Sequence, residues 1–304
     1  MSARAMPYLV IGGAQVAIGA APIFARYALG GAGPLAVSAL RLALAALVVV
    51  VIARRFERLP ARRELAFALA GIALAAHFAT WIASLSYVSV AISTLLVTTT
   101  PLWTETYDVI RERRWPTRSF VAALILGIAG VALVVQQRGA GHPPVPGHEL
   151  VGEALALAGS IAIGVYLLIV RDAAKDARCS RLATRQIVAR TYGWAALSLV
   201  VAAAISHEAP PAASNLPAWG GILAMALISQ LLGHTALNAS LATFSPSVVA
   251  LSTLCEPVVA TVLAGFIFHE ALGPATAAGG ALVLVAVALT LRAAQPAREQ
   301  SASL

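Results

Sequence analysis

Apolar stretches recur along this chain, each close to the roughly 20 residues that a helix needs to cross a hydrocarbon core. They fall near residues 7–29, 33–53, 65–87, 90–110, 119–136, 150–171, 185–206, 217–239, 246–268 and 273–292, separated by short polar or basic segments. Within them, apolar and polar positions do not alternate as they would in the strands of a membrane barrel. The pattern predicts an all-α integral membrane protein with ten transmembrane helices.

The polar positions inside the stretches repeat. Residues 78–101 align with residues 234–257 without a gap, bringing Ala83, Ser84, Leu85, Ser89, Leu95 and Pro101 onto Ala239, Ser240, Leu241, Ser245, Leu251 and Pro257. Upstream, Ala17-Ile18-Gly19 and Arg26 are echoed by Ala162-Ile163-Gly164 and Arg171, and Arg41 is echoed by Arg190. Each copy holds an odd number of spans, so the second must enter the bilayer upside down. The expected organisation is a first repeat over 8–137, an outward Gly- and Pro-rich linker at 138–149, an inverted second repeat over 150–292, and a cytoplasmic tail at 293–304. Inverted repeats of this kind are a common scaffold for alternating-access transport around a site at the bilayer midplane.

Composition agrees. Of 304 residues, 60% are hydrophobic and only 11% charged, with a mean hydropathy of +0.84, against roughly 25% charged in soluble domains. The net charge of +8 is concentrated in alternate loops. Arg54, Arg55, Arg58, Arg62 and Arg63 share one. Arg111, Arg113, Arg114 and Arg118 share the next, and Lys175, Arg178, Arg181 and Arg185 a third, while Arg4, Arg292 and Arg298 sit at the termini. Only Arg138 falls in a loop of the opposite face. The positive-inside rule then puts both termini in the cytoplasm of a cell with the protein in its inner or plasma membrane. The basic loops meet anionic lipid headgroups rather than nucleic acid. The first apolar stretch is too long for a signal peptide and is expected to remain as a span. Cys179 and Cys255 are not expected to form a disulfide.

Polar groups at membrane depth need a partner or a wet cavity. Gln230, His234 and Asn238 are spaced i, i+4, i+8 on the eighth span and form one stripe. His77, Trp81 and Ser84 form a similar stripe on the third. The two stripes are expected either to face each other across a central cavity or to hydrogen-bond neighbouring helices. Gln15, Tyr166 and Trp103 are further candidates for touching cargo. Trp115 and Trp219 read as interfacial anchors. Glu105 reads as lining an inner vestibule and Asp108 as pairing with Arg111. Glu256 lies near the middle of a span, with Arg41 and Arg190 as candidate partners. It is a fixed ion pair between the halves, a titrating group that couples protons to cargo, or a direct contact to an ammonium. Pro101 and Pro257 each remove a backbone hydrogen bond and mark hinges or static kinks. The short turns near residues 86–90 and 243–247 predict tight hairpins of neighbouring spans. Spans five and ten carry almost no polar side chain. Their Gly127, Gly130, Gly279 and Gly280 fit close packing at the periphery against lipid or, in a homodimer, a second subunit.

Two five-span halves with a proline in the fourth span of each resemble the EamA domains of the drug/metabolite transporter superfamily. The resemblance rests on PLAVSALR with Arg41, HFATWIASLSYVSVAIS and the TTTP run ending at Pro101, and in the second half on QLLGHTALN, LCEPVVATVLAGFIFHE and Glu270. In register with His269-Glu270 the first half has Arg113-Arg114. The resemblance implies a basket of ten helices that transports a small-molecule substrate such as an amino acid or another metabolite, usually outward. No cofactor or metal is expected: the chain has no phosphate loop and no Cys–His cluster of zinc type. A secondary transporter leads; a passive channel and a membrane enzyme acting on lipid remain the alternatives.

Overall fold

The structure, a computed structural model, describes residues 6–53, 57–88, 90–136, 147–179, 184–268 and 273–293. Arg4, Arg54, Arg55, Arg138, Arg181, His269, Glu270 and Arg298, all singled out above, lie outside the described residues. Among those described, every regular element is a helix. The first half contains α1 (Met6–Gly19), α2 (Ala21–Leu29), α3 (Pro34–Ala53), α4 (Ala61–Ser84), α5 (Val90–Val97), α6 (Thr100–Glu112) and α7 (Arg118–Gln136). The second contains α8 (Glu149–Cys179), α9 (Thr184–Ile205), α10 (Leu216–Ala224), a π-helical segment (Met225–His234), α11 (Thr235–Ser240), α12 (Pro246–Ser252), α13 (Cys255–Phe268) and α14 (Pro274–Ala293).

Several of these run on into one another. Seven rods among the described residues are long and apolar enough to cross a membrane: α1–α2, α3, α4, α8, α9, α10 through α11, and α12–α13. Shorter apolar helices of the same character cover Arg118–Leu133 in α7 and Ala277–Thr290 in α14. The helix pair α5–α6 continues across Thr98 and Thr99 as one interrupted rod.

Around an apolar core, the bundle also buries polar groups and exposes large aliphatic ones. Ser38, Arg41, Ser84, Ser93, Thr104, Ser160, Thr191, Ser229 and Gln230 are fully buried, while Leu47, Val51, Ile125, Leu232 and Phe266 are more than half exposed. Aliphatic side chains cost nothing against lipid, whereas each polar group must be served from within the protein.

Packing repeats when the halves are exchanged. Helix α4 lies along α8, and its counterpart is the contact of α1–α2 with α10 and the π-helical segment. Helices α5 and α6 pack on α8 much as α12 and α13 pack on α1, while α3–α9 and α7–α14 pair across the halves as self-counterparts. One expectation fails. The short turns after α4 and α11 do not make tight hairpins, because α4 packs mainly on α8 and α9 and barely touches α5. A single bond between the Ser84 and Ser93 hydroxyls, 2.6 Å long, ties the two together at the turn.

Small residues set the closest approaches, as they do wherever helices associate in lipid. A Cβ on Gly130 would stand 2.6 Å from the Gly279 carbonyl oxygen, so α7 and α14 touch backbone to backbone. A Cβ on Gly71 would stand 2.4 Å from the Trp194 Cβ, bringing α4 equally close to α9. Helix ends are tied to distant loops too. Glu208, after α9, accepts the Ala36 N–H at 2.9 Å and so places a carboxylate at the N-terminus of α3, where the helix dipole favours negative charge.

Gly130→Val should therefore cost about 1–3 kcal/mol through overpacking and lower the unfolding temperature of the detergent-solubilised protein. Gly193→Ala, at a glycine with nothing within 4 Å, should leave it unchanged or raise it slightly.

Candidate functional site

Two rods are interrupted at membrane depth, each just before a proline. Proline cannot donate the backbone bond that an α-helix expects from it, which leaves the carbonyl four residues upstream unserved. For Pro101 that carbonyl is Val97, the last residue of α5, and the Thr100 hydroxyl takes it up at 2.9 Å. For Pro257 it is Thr253, and the Glu256 N–H bonds to it at 2.9 Å. Each proline then sits in the first turn of the next helix, α6 or α13, where its missing N–H costs nothing. The α5–α6 break is braced against α8 through Ser160, whose hydroxyl meets Thr99 at 3.0 Å and accepts the Trp103 indole N–H at 3.1 Å.

Both breaks open onto a central cavity. It is lined by Val97, Thr98 and Thr100 from the first, by Thr253 and Glu256 from the second, and by residues of α1, α2, α3, α4, α8 and the α10–α11 rod. The repeat register recurs in this lining. Phe78 and His234, Trp81 and Leu237, Val97 and Thr253, Thr100 and Glu256, and Ile18 and Ile163 are counterparts in the two copies, and both members of every pair line the cavity. Phe78 and His234 touch each other edge to face, with ring centroids 5.2 Å apart. His77 stacks in parallel on Trp81 at 6.2 Å and lies 6.4 Å from His234, so the third and eighth spans do meet here. The space left for the centres of water-sized molecules is about 40 Å³, enough for a few waters.

Arg41 is wholly buried in the middle of α3. Its Nη2 donates to Gln230 Oε1 at 2.8 Å and its guanidinium lies 4.0 Å from the centre of the Phe78 ring. Among the described residues, Arg41 Nε and Nη1, Gln230 Nε2, Trp81 Nε1 and His234 Nδ1 have no hydrogen-bond partner.

The residues singled out from the sequence divide accordingly. Arg41, His77, Trp81, His234 and Glu256 line the cavity. Gln230 lies behind Arg41. Asn238, in α11, donates to the His234 carbonyl at 2.8 Å and accepts the Tyr166 hydroxyl at 2.7 Å, while the π-helical bonds over Met225–His234 widen the turns between Gln230 and His234. Gln15 donates to Ser252 at 2.7 Å, and Trp103 faces Ser160. Of the three readings of Glu256, the fixed ion pair does not form: among the described residues its carboxylate makes no ion pair, and Arg190 instead meets Glu64 at 3.0 Å, the Glu57 carbonyl at 2.5 Å and Gln186. Phe78, Thr98, Thr100 and Thr253 were not among the candidates. The gapless alignment of the copies was the signal that could have found them.

Charge gathers at one end, between α6 and α8. Arg171 reaches Asp108 at 2.6 Å and Asp172 at 2.9 Å, and Arg111 pairs with Asp172. Asp108 thus pairs with Arg171 rather than Arg111. Glu105 is bound by Arg114 at 2.8 Å, and that bond raises the Arg114 guanidinium further above its ordinary value. Trp115 is 89% exposed, as an interfacial anchor would be, whereas Trp219 packs on the core.

The profile of the EamA-like transporter family matches residues 5–136 and again residues 150–292. A solved structure described as a crystal structure of a protein shares this fold. The TM-score is 0.75 at 18% sequence identity, covering 96% of this chain and 98% of the other. Among curated proteins none matches.

Asp108 and Arg171 are both nearly buried, so Asp108→Asn, which leaves Arg171 with Asp172 as its one carboxylate partner, should cost about 2 kcal/mol. Glu112→Gln, at an exposed pair with Arg114, should cost under about 1 kcal/mol. Thermal unfolding of the two purified variants checks the difference.

Proposed function

The chain belongs to the EamA-like transporter family, hence to the membrane transporters of drug/metabolite type, and on that footing we propose a ten-span secondary transporter that exports a small metabolite by alternating access. The ten spans are the seven long rods, the interrupted α5–α6 rod, α7 and α14. Five of them form each repeat, and the second is inverted relative to the first. Basic loops flank the cytoplasmic side of the inner membrane, with both termini on that side.

A single observation carries the reading: a cavity lined by matching positions from both halves, at the breaks of two discontinuous helices. Discontinuous helices at repeat interfaces are where secondary transporters hold their cargo. Cargo, amino-acid-like or amphipathic in size and character, meets His77, Trp81, His234 and Arg41. The remaining space is too small for such a molecule, so the halves must part for loading. Pro101 and Pro257 give the two interrupted rods their bending points. The ion pairs joining α6 to α8 close the cytoplasmic end and separate when that end opens. Glu256 has no fixed cationic partner among the described residues and is the group best placed to exchange a proton with each cycle. Helices α7 and α14 stay peripheral, against lipid or a second subunit.

Purified protein in vesicles loaded with a labelled metabolite mixture tests this. Efflux should rise when a pH gradient is imposed, and Glu256→Gln should slow it at least about tenfold and remove the pH dependence. Unchanged pH-dependent efflux in that variant rejects the coupling role, and absence of efflux from the wild type rejects transport.

A further inference from the structure

The two membrane-depth arginines are counterparts in the repeat, yet only one is neutralised. Arg190 is met by the Glu64 carboxylate, the Glu57 carbonyl and the Gln186 side chain. Arg41 has a neutral amide and a ring face, and two of its three nitrogens have no hydrogen-bond partner among the described residues. A buried guanidinium in that condition calls for an anion.

Glu256 lines the same cavity but is not that anion. It makes no ion pair among the described residues, and it stands in the first turn of α13, where the helix N-terminus already favours its charge. Arg41 lies eight residues into a 20-residue helix and has no helix end to serve it. Two of the other unpartnered atoms belong to the same cavity wall. The Trp81 indole N–H can only donate and His234 Nδ1 donates or accepts according to its tautomer, while Gln230 Nε2, also a donor, lies behind Arg41 and not in the wall. Gln15 Oε1, an acceptor, and the Ser247 hydroxyl, which both donates and accepts, do not line the cavity. Donors left over around one space are complementary to an acceptor-rich, negatively charged group.

We infer that the cavity recognises the carboxylate of its cargo, with Arg41 as the anionic anchor and Trp81 Nε1 as a second donor. The apolar remainder of the wall, from Ile18, Val97, Ile163, Leu167 and Leu237, faces the organic part of the molecule. Specificity then lies in the acid group, because an isosteric amide leaves the guanidinium uncompensated. The inference rests on the transport reading for the word cargo, but the binding it asserts is measured without flux.

The full-length purified protein in detergent is titrated with isovalerate and L-leucine, with isovaleramide and L-leucinamide, and with inorganic phosphate, following the unfolding temperature. The acids should stabilise it, and the amides should require more than about tenfold higher concentration for the same shift. Trp81→Phe should narrow that gap, and Arg41→Gln should abolish it; should Arg41→Gln not fold, Trp81→Phe and Arg41→Lys decide. Equal shifts with acids and amides, no shift with either, a response to phosphate alone, or an acid preference intact in Arg41→Gln would overturn the assignment. Vesicle efflux measured in parallel separates the two readings. Efflux without an acid preference sinks the carboxylate anchor alone, and an acid preference without efflux upholds the anchor and counts against transport.

Discussion

A polar group surrounded by hydrocarbon must find its partner inside the protein, and the architecture follows from that requirement. It keeps every described element helical and turns aliphatic side chains outward. It also explains why the two proline breaks are repaired on the spot, by the Thr100 hydroxyl at one and a backbone N–H at the other. A break that lines a cavity leaves some groups to be served by whatever enters. The clustering of unpartnered donors around Arg41, in a protein whose other buried polar groups are mostly bonded, is the same rule seen where it has been left unfulfilled.

Duplication supplies the frame, and its imperfections supply the chemistry. Most of the cavity wall consists of matching positions, so two copies of one unit enclose a space on their common axis. Where the copies agree, as at Ile18 and Ile163, the wall is apolar. Where they differ, ionisable groups appear. His234 answers Phe78, Glu256 answers Thr100, and Arg41 lies open where Arg190 is closed by Glu64. The charged end between α6 and α8 is another departure, since Asp108 and Arg111 have Ala264 and Ile267 in register in α13. One end of the bundle is therefore clamped by ion pairs that the register does not repeat at the other.

How much of this was legible beforehand depended on whether the determinant was local. Hydropathy gave the helical stretches, and the ungapped alignment of residues 78–101 with 234–257 gave their pairing, because both depend on each segment's own composition. His77, Trp81, His234, Glu256 and Arg41 were legible as candidates because a polar side chain at membrane depth is conspicuous in any apolar run. Gln230, Asn238, Gln15, Tyr166 and Trp103 were equally conspicuous and proved to be engaged in hydrogen bonds at or behind the wall.

What the sequence alone determined was the helical, lipid-facing character of the chain and its twofold plan, since burial in hydrocarbon and internal similarity are properties of segments. What only the tertiary structure decided was which arginine is neutralised and which hairpins splay. It also decided how the π-helical turns re-aim Gln230 relative to His234. Each of those outcomes is a competition among groups from distant helices for a limited number of partners, and a one-dimensional pattern does not record which of them wins.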